Sequence, residues 1–194
     1  MGVHGVRWTS FVTVLGSWLA VALLARVGIP HVDPSLEPTP RPLESLGTAA
    51  LCLPAASVGL FLKDWAPWLA STSPRARICV RGGWLVLVVL TTCIPACAWF
   101  AMLPGQVPRG HALAVWCLLL GMGVLSCVVL SPDLAVVLPA LTIMVFTNRV
   151  TPFGANLLYN LDRTDATMSM ALITVIVSIV AYVVFGSRAE GSAR

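Results

Sequence analysis

Charge is what this sequence has least of. Only 10% of its 194 residues are Asp, Glu, Lys or Arg, against about 25% in ordinary soluble domains. So few charges cannot cover a water-facing surface, so lipid must be the solvent for much of the chain. Lysine is almost missing: Lys63 is the only one, and it follows Leu62 rather than a glycine. A phosphate-cradling loop needs the pattern G-x-x-x-x-G-K-[ST]. The chain therefore has no such nucleotide site, and any ATP-driven role requires a second polypeptide. The formal charge of +4 is modest and scattered, which excludes the footprint of a nucleic-acid binder. No G-x-S-x-G, H-E-x-x-H or Asp-rich phosphotransfer pattern occurs. Neither an enzyme class nor a cofactor is indicated.

Metal and disulfide signals are weak too. The three histidines, His4, His31 and His111, lack ligand spacing; His31 with Asp33 is a lone loop pair. Of six cysteines, Cys52, Cys93, Cys97, Cys117 and Cys127 fall in apolar runs, and Cys79 falls in a basic stretch. Cys93 and Cys97 share a helical face at i, i+4, yet small core or lipid-facing side chains explain all five apolar ones. No metal site is expected.

What the chain has in abundance is apolar runs: 58% of it is hydrophobic. The expected fold is an all-α polytopic membrane bundle in a single domain, residues 1–194. About six spans are expected, near 9–29, 46–64, 84–103, 112–130, 134–149 and 167–186. In the first, Ala20-Val21-Ala22 offers a signal-peptide alternative, but the apolar run continues beyond it. Prolines at 30, 34, 38, 40 and 42 make the next stretch a surface loop and not a helix. Lys63 to Arg81, with Trp65, Trp68, Arg75 and Arg77, forms a basic, Trp-bearing elbow of headgroup character between the second and third spans. The fifth run is short: Leu134 to Phe146 rises only about 20 Å as a helix, against a hydrocarbon core of about 30 Å. A tilted span and a re-entrant segment both fit, and a span is the expectation.

After it, Thr151-Pro152 offers a helix start. Phe153, Leu157, Leu158 and Leu161 recur at helical spacing opposite Asn156 and Asn160. The pattern predicts a short amphipathic helix over 151–161, on the outer membrane surface or dipping into it. Asp162-Arg163-x-Asp165 is the best ionisable cluster, with Asn160 and Arg149 as possible neighbours. It reads as an interfacial cap on the last span, with a metal or phosphate site as the alternative.

With the N-terminus inside, the inner segments carry seven basic residues and the outer ones five. The arginines at 75, 77 and 81 are the strongest local signal for an inner loop. Both termini are therefore expected in the cytoplasm, with the chain integral to a bacterial cell membrane.

The order of elements resembles the permease subunits of type-two ABC exporters. Those have six spans, cytoplasmic termini, a coupling segment between spans two and three that contacts the ATPase, and a short re-entrant or amphipathic segment between spans five and six. Lys63 to Arg81 and Thr151 to Leu161 occupy the matching places, although the chain is shorter and its first outer loop richer in proline. The resemblance implies a separate cytoplasmic ATPase subunit docking at Lys63, Trp65, Trp68, Arg75, Arg77 and Arg81, and pairing with another membrane subunit. Two alternatives stand beside it. One is a six-span substrate-binding subunit of a vitamin or small-molecule uptake transporter, for which Gly16-x-x-x-Ala20 is the only docking pattern. The other is a non-catalytic accessory subunit of a larger membrane complex, which suits spans almost free of charge.

Overall fold

The computed structural model describes residues 8–25, 27, 45–64, 74–103, 108–147 and 152–187. All regular structure among them is helical. The helices are α1 (Trp8–Leu24), α2 (Leu46–Ala50), α3 (Cys52–Asp64), α4 (Pro74–Met102), α5 (Arg109–Val129), α6 (Val137–Thr147) and α7 (Thr164–Phe185), with single 3₁₀ turns at Pro132–Leu134, Phe153–Ala155 and Leu161–Arg163. The expected loop at 30–42 and its residues His31 and Asp33, as well as Trp65, Trp68, Asn148, Arg149 and Thr151, lie outside the described residues.

Among the described residues, three stretches are long and apolar enough to cross a membrane: Ile78–Ala101, Arg109–Val129 and Leu161–Phe185. The other three apolar runs form shorter helices, Ser10–Leu24, Leu46–Leu62 and Pro132–Thr147. Proline accounts for part of the shortness. The second run breaks at Leu51, between α2 and α3. Pro54 has no N–H to give to Ala50 and its ring crowds that carbonyl, so the helix breaks one turn earlier. Pro139 falls in the first turn of α6, where a missing N–H costs nothing. The neighbouring Leu138 N–H is met by Ser126 Oγ on α5 at 3.1 Å. Pro95 sits inside α4 without ending it. Membrane helices tolerate such a proline because neighbouring groups re-satisfy the freed carbonyls.

The third run begins earlier than its hydropathy suggests. α4 starts at Pro74, a first-turn proline, so Arg75, Arg77, Cys79 and Arg81 are on a helix and not in a loop. The correction follows from the residues themselves: Arg and Ala are among the best helix formers, and nothing from 75 to 81 breaks a helix.

Successive runs alternate in direction, as the contacts at their ends show. At one end, Phe11 of α1 packs on Phe61 of α3, Trp84 of α4 donates to Phe61 O, and Arg81 reaches the last turn of α7. At the other end, Leu46 N–H donates to Val27 O at 2.8 Å, and His111 near the start of α5 meets residues 158 and 164. α5 is the axis, in contact with α3, α4, α6 and α7. Its close neighbours require small residues. A Cβ on Gly121 would stand 2.9 Å from Thr174 Cγ2 of α7, and one on Gly123 would stand 2.6 Å from Ala55 O of α3. Such small-residue contacts are how membrane helices approach one another, because lipid is as apolar as Leu and burial alone supplies no drive. α1 is held instead by an aromatic stack: Trp18 lies 5.1 Å from Trp116 and 6.4 Å from Trp99, ring centre to ring centre.

The outward faces are apolar. Leu15, Leu19 and Leu23 of α1, Val86, Leu90 and Ile94 of α4, and Leu172, Ile176 and Val180 of α7 are all exposed. A bundle with this exterior is solvated by lipid.

Candidate functional site: a polar clasp above an apolar groove

The segment after α6 is not the expected amphipathic helix over 151–161. It is a chain of turns: a 3₁₀ turn at Phe153–Ala155, a hydrogen-bonded turn at 157–159 and another 3₁₀ turn at Leu161–Arg163. The two asparagines, expected on its polar face, are buried. Asn156 is the reason no helix forms. Its Oδ1 accepts from the N–H groups of Leu158 at 3.0 Å and Tyr159 at 3.1 Å. Its Nδ2 donates to Phe146 O, in the last turn of α6, at 2.7 Å. One side chain thus replaces the local helix bonds and satisfies a carbonyl that α6 would otherwise leave open. Asn160 repeats the device, its Oδ1 accepting from Asp162 N–H at 3.0 Å. Leu158 and Tyr159 go into the core, while Leu157 and Leu161 are half-buried. The side chain of Phe153 is outside what is described.

His111 joins this segment to the axis. It is fully buried, with Nε2 at 3.1 Å from Leu158 O and Nδ1 at 3.1 Å from Thr164 Oγ1. A carbonyl oxygen only accepts, so Nε2 carries a proton. The one proton of the Thr164 hydroxyl is shared between Nδ1 and Leu161 O, which lies 2.7 Å from Oγ1. Thr167 Oγ donates to Leu157 O at 2.8 Å, and Tyr159 Oη lies 3.0 Å from Thr147 Oγ1. Together these groups form a clasp that ties α5, α6 and α7 at one end of the bundle. In a low-dielectric setting each unmade bond of such a network is costly, so the clasp is rigid only when complete.

The ionisable cluster lies outside the clasp. Asp162, Arg163 and Asp165 are exposed. Arg163 directs Nε to Gly154 O at 2.8 Å. The two acids flank the start of α7, where the positive end of the helix dipole favours them. Among the described residues no group of three or more His, Cys, Asp and Glu side chains could hold a metal ion.

Beneath the clasp lies a groove of about 270 Å³ between α5, α6 and α7. Leu118 and Met122 line it from α5, Leu141 and Val145 from α6, Met170 from α7, and Leu157 from the turn segment. The single hydroxyl on its wall, that of Thr142, is already bonded to Leu138 O at 2.8 Å. The groove therefore offers shape and apolar contact, and no chemistry.

At the opposite end lies part of the expected docking surface. Arg81, expected among the partner-docking residues of the elbow, is buried. Its Nη1 donates at 3.2 Å to both Val183 O and Val184 O. These are among the last four carbonyls of α7, which the helix itself cannot satisfy, and a cation is favoured at that end of the dipole. Arg81 holds α4 to α7. Lys63 lies in the last turn of α3, and Arg75 and Arg77 lie in the first turns of α4. Their side chains, like the whole of Trp65 and Trp68, lie outside what is described.

Sequence reading missed His111 and Asn156. His111 passes for a histidine beside a loop, and the only signal for Asn156 is that Pro152-x-Gly154 just ahead of it disfavours a helix. The chain matches no protein-family model, no curated protein and no solved structure.

Proposed function

We propose that this chain is the membrane-spanning permease subunit of an ATP-driven exporter, working with a separate cytoplasmic ATPase and paired with a second membrane subunit. In this reading all six runs cross the membrane of a bacterial cell. The three short ones do so with help from local thinning of the bilayer, at a modest cost per ångström of mismatch. The observation that carries it is the alternation of the runs: the end of α3 and the start of α4 fall at the same end as the start of α1 and the end of α7. The turn segment between the last two runs falls at the other end. The exporter permeases have the same order of runs, and in this reading the elbow and termini are in the cytoplasm and the clasp is outside. Lys63, Trp65, Trp68, Arg75 and Arg77 form the docking surface, and Arg81 supports it from behind by fixing α4 on α7. Aromatic anchors carry much of an interface's energy, which makes Trp65 and Trp68 the natural ones.

The test is co-purification. Extracted in mild detergent after co-expression with the neighbouring genes, the chain is expected to retain an ATPase subunit. Changing Arg75 and Arg77 together to Glu should release it without altering topology. A wild-type preparation that never carries an ATPase removes the exporter reading.

A second reading, a membrane accessory subunit with no transport role, draws on the burial of Arg81, which takes one cation away from the elbow. A stable assembly with other membrane subunits and no ATPase selects it. The groove, apolar and without an open polar group, lends nothing to uptake of a polar vitamin.

A further inference from the structure

We propose that the groove between α5, α6 and α7 is a binding site for one acyl chain of a bilayer lipid. Three observations define the occupant. First, the groove opens on the surface that lipid must cover: its rim residues Leu141 and Val145 on α6 and Met170 on α7 are exposed, as are Met144 and Ile173 beside them. Second, its one wall hydroxyl is bonded within the protein, so neither water nor a polar ligand gains a hydrogen bond there, and apolar cavities stay dry. Third, the volume suits a segment of an acyl chain. A volume of about 270 Å³ leaves room for a run of methylenes.

One wall of the groove is also much shorter than the other two. α6 has 11 residues, about 16 Å of helix, so beside it the hydrocarbon meets a wall shorter than itself. A lipid tail that leans into the groove fills the gap under the clasp and restores the dispersion contacts that the lining would lack. Because lipid tails and Leu are equally apolar, selectivity for the groove rests on shape. The inference depends on the membrane placement of α5 and α7 and is independent of the ATPase, so it can fail while the exporter reading stands, and the reverse.

The experiment uses the full chain in vesicles of phosphatidylethanolamine and phosphatidylglycerol containing a trace of phosphatidylcholine with a diazirine in its acyl tail. After illumination and digestion, label is mapped by mass spectrometry. Labelling around 138–146 and at Met170 is expected to exceed, several-fold, that on Val86–Ile94 of α4 and Ile176–Val184 of α7, which face lipid as openly. Val145→Trp, which fills the groove from its exposed rim, should abolish the excess, while Leu87→Trp on α4 leaves it intact. Equal labelling of all lipid-facing surfaces overturns the proposal, as does an excess that survives Val145→Trp. If Val145→Trp does not assemble, the wild-type map alone decides, uniform label counting against the site.

Discussion

α5 and α7 have nearly the same length and nearly the same mean hydropathy, yet over an 18-residue apolar stretch of each, 67% of α5 is buried and only 22% of α7. The difference lies in residue size and in where hydroxyls fall. α5 carries Gly121, Gly123, Ser126 and Cys127 inside, with Ser126 serving Leu138 N–H and Cys127 Sγ bonded to Gly123 O. α7 shows one stripe of small or polar residues, Thr167, Ala171, Thr174 and Ser178, toward α5 and presents β-branched residues to lipid. Hydropathy measures whether a helix can leave water. Close approach between backbones decides which helix becomes the axis.

That contrast can be broken most severely at the clasp, where α5 and α7 are fastened together. Asn156→Leu is expected to cost the most, about 3–5 kcal/mol, because it strands the Leu158 and Tyr159 N–H groups and Phe146 O at about 1–3 kcal/mol each with partial relaxation. Unfolding in mixed micelles by increasing SDS measures it. His111→Phe should cost about 1–3 kcal/mol by the same assay, since Leu158 O loses its side-chain donor. The closeness of α5 to α3 is probed by Gly123→Ala, whose methyl would press on the Ala55 carbonyl. A loss of about 1–3 kcal/mol is expected. Gly83→Ala on α4, where nothing lies within 4 Å, should instead be neutral or stabilising by about 0.5–1 kcal/mol. Equal effects at the two glycines would mean that close packing does not distinguish α5. The smallest effect belongs to the lipid face: Ile176→Ala on α7 should change stability by less than about 0.5 kcal/mol, the usual range for surface changes, because lipid replaces what the side chain loses.

The spans were legible to the extent that they are governed by hydropathy. The all-helical class and the three membrane-length helices follow from runs of apolar residues that no soluble fold could cover. The elements decided by side chain to backbone bonds were not legible. Phe153, Leu157, Leu158 and Leu161 have helical spacing, but over so short a stretch the same spacing fits a series of turns. Asn156 tips the balance by bonding the backbone locally, which periodicity does not register. Arg81 shows the same limit from the other side. Three arginines in seven residues give a single charge signal, and only the approach of α7 separates the one that caps a helix end from the two before it.

Placement of the two ends on opposite sides of the bilayer is the claim on which the rest stands. In a cysteine-free background, Asp133→Cys and Asp162→Cys sit at exposed positions at opposite ends of the bundle, and an impermeant maleimide reports which side each occupies. Cysteine at 162 should react in intact cells, and cysteine at 133 only after permeabilisation. Labelling of both from the same side would contradict the account.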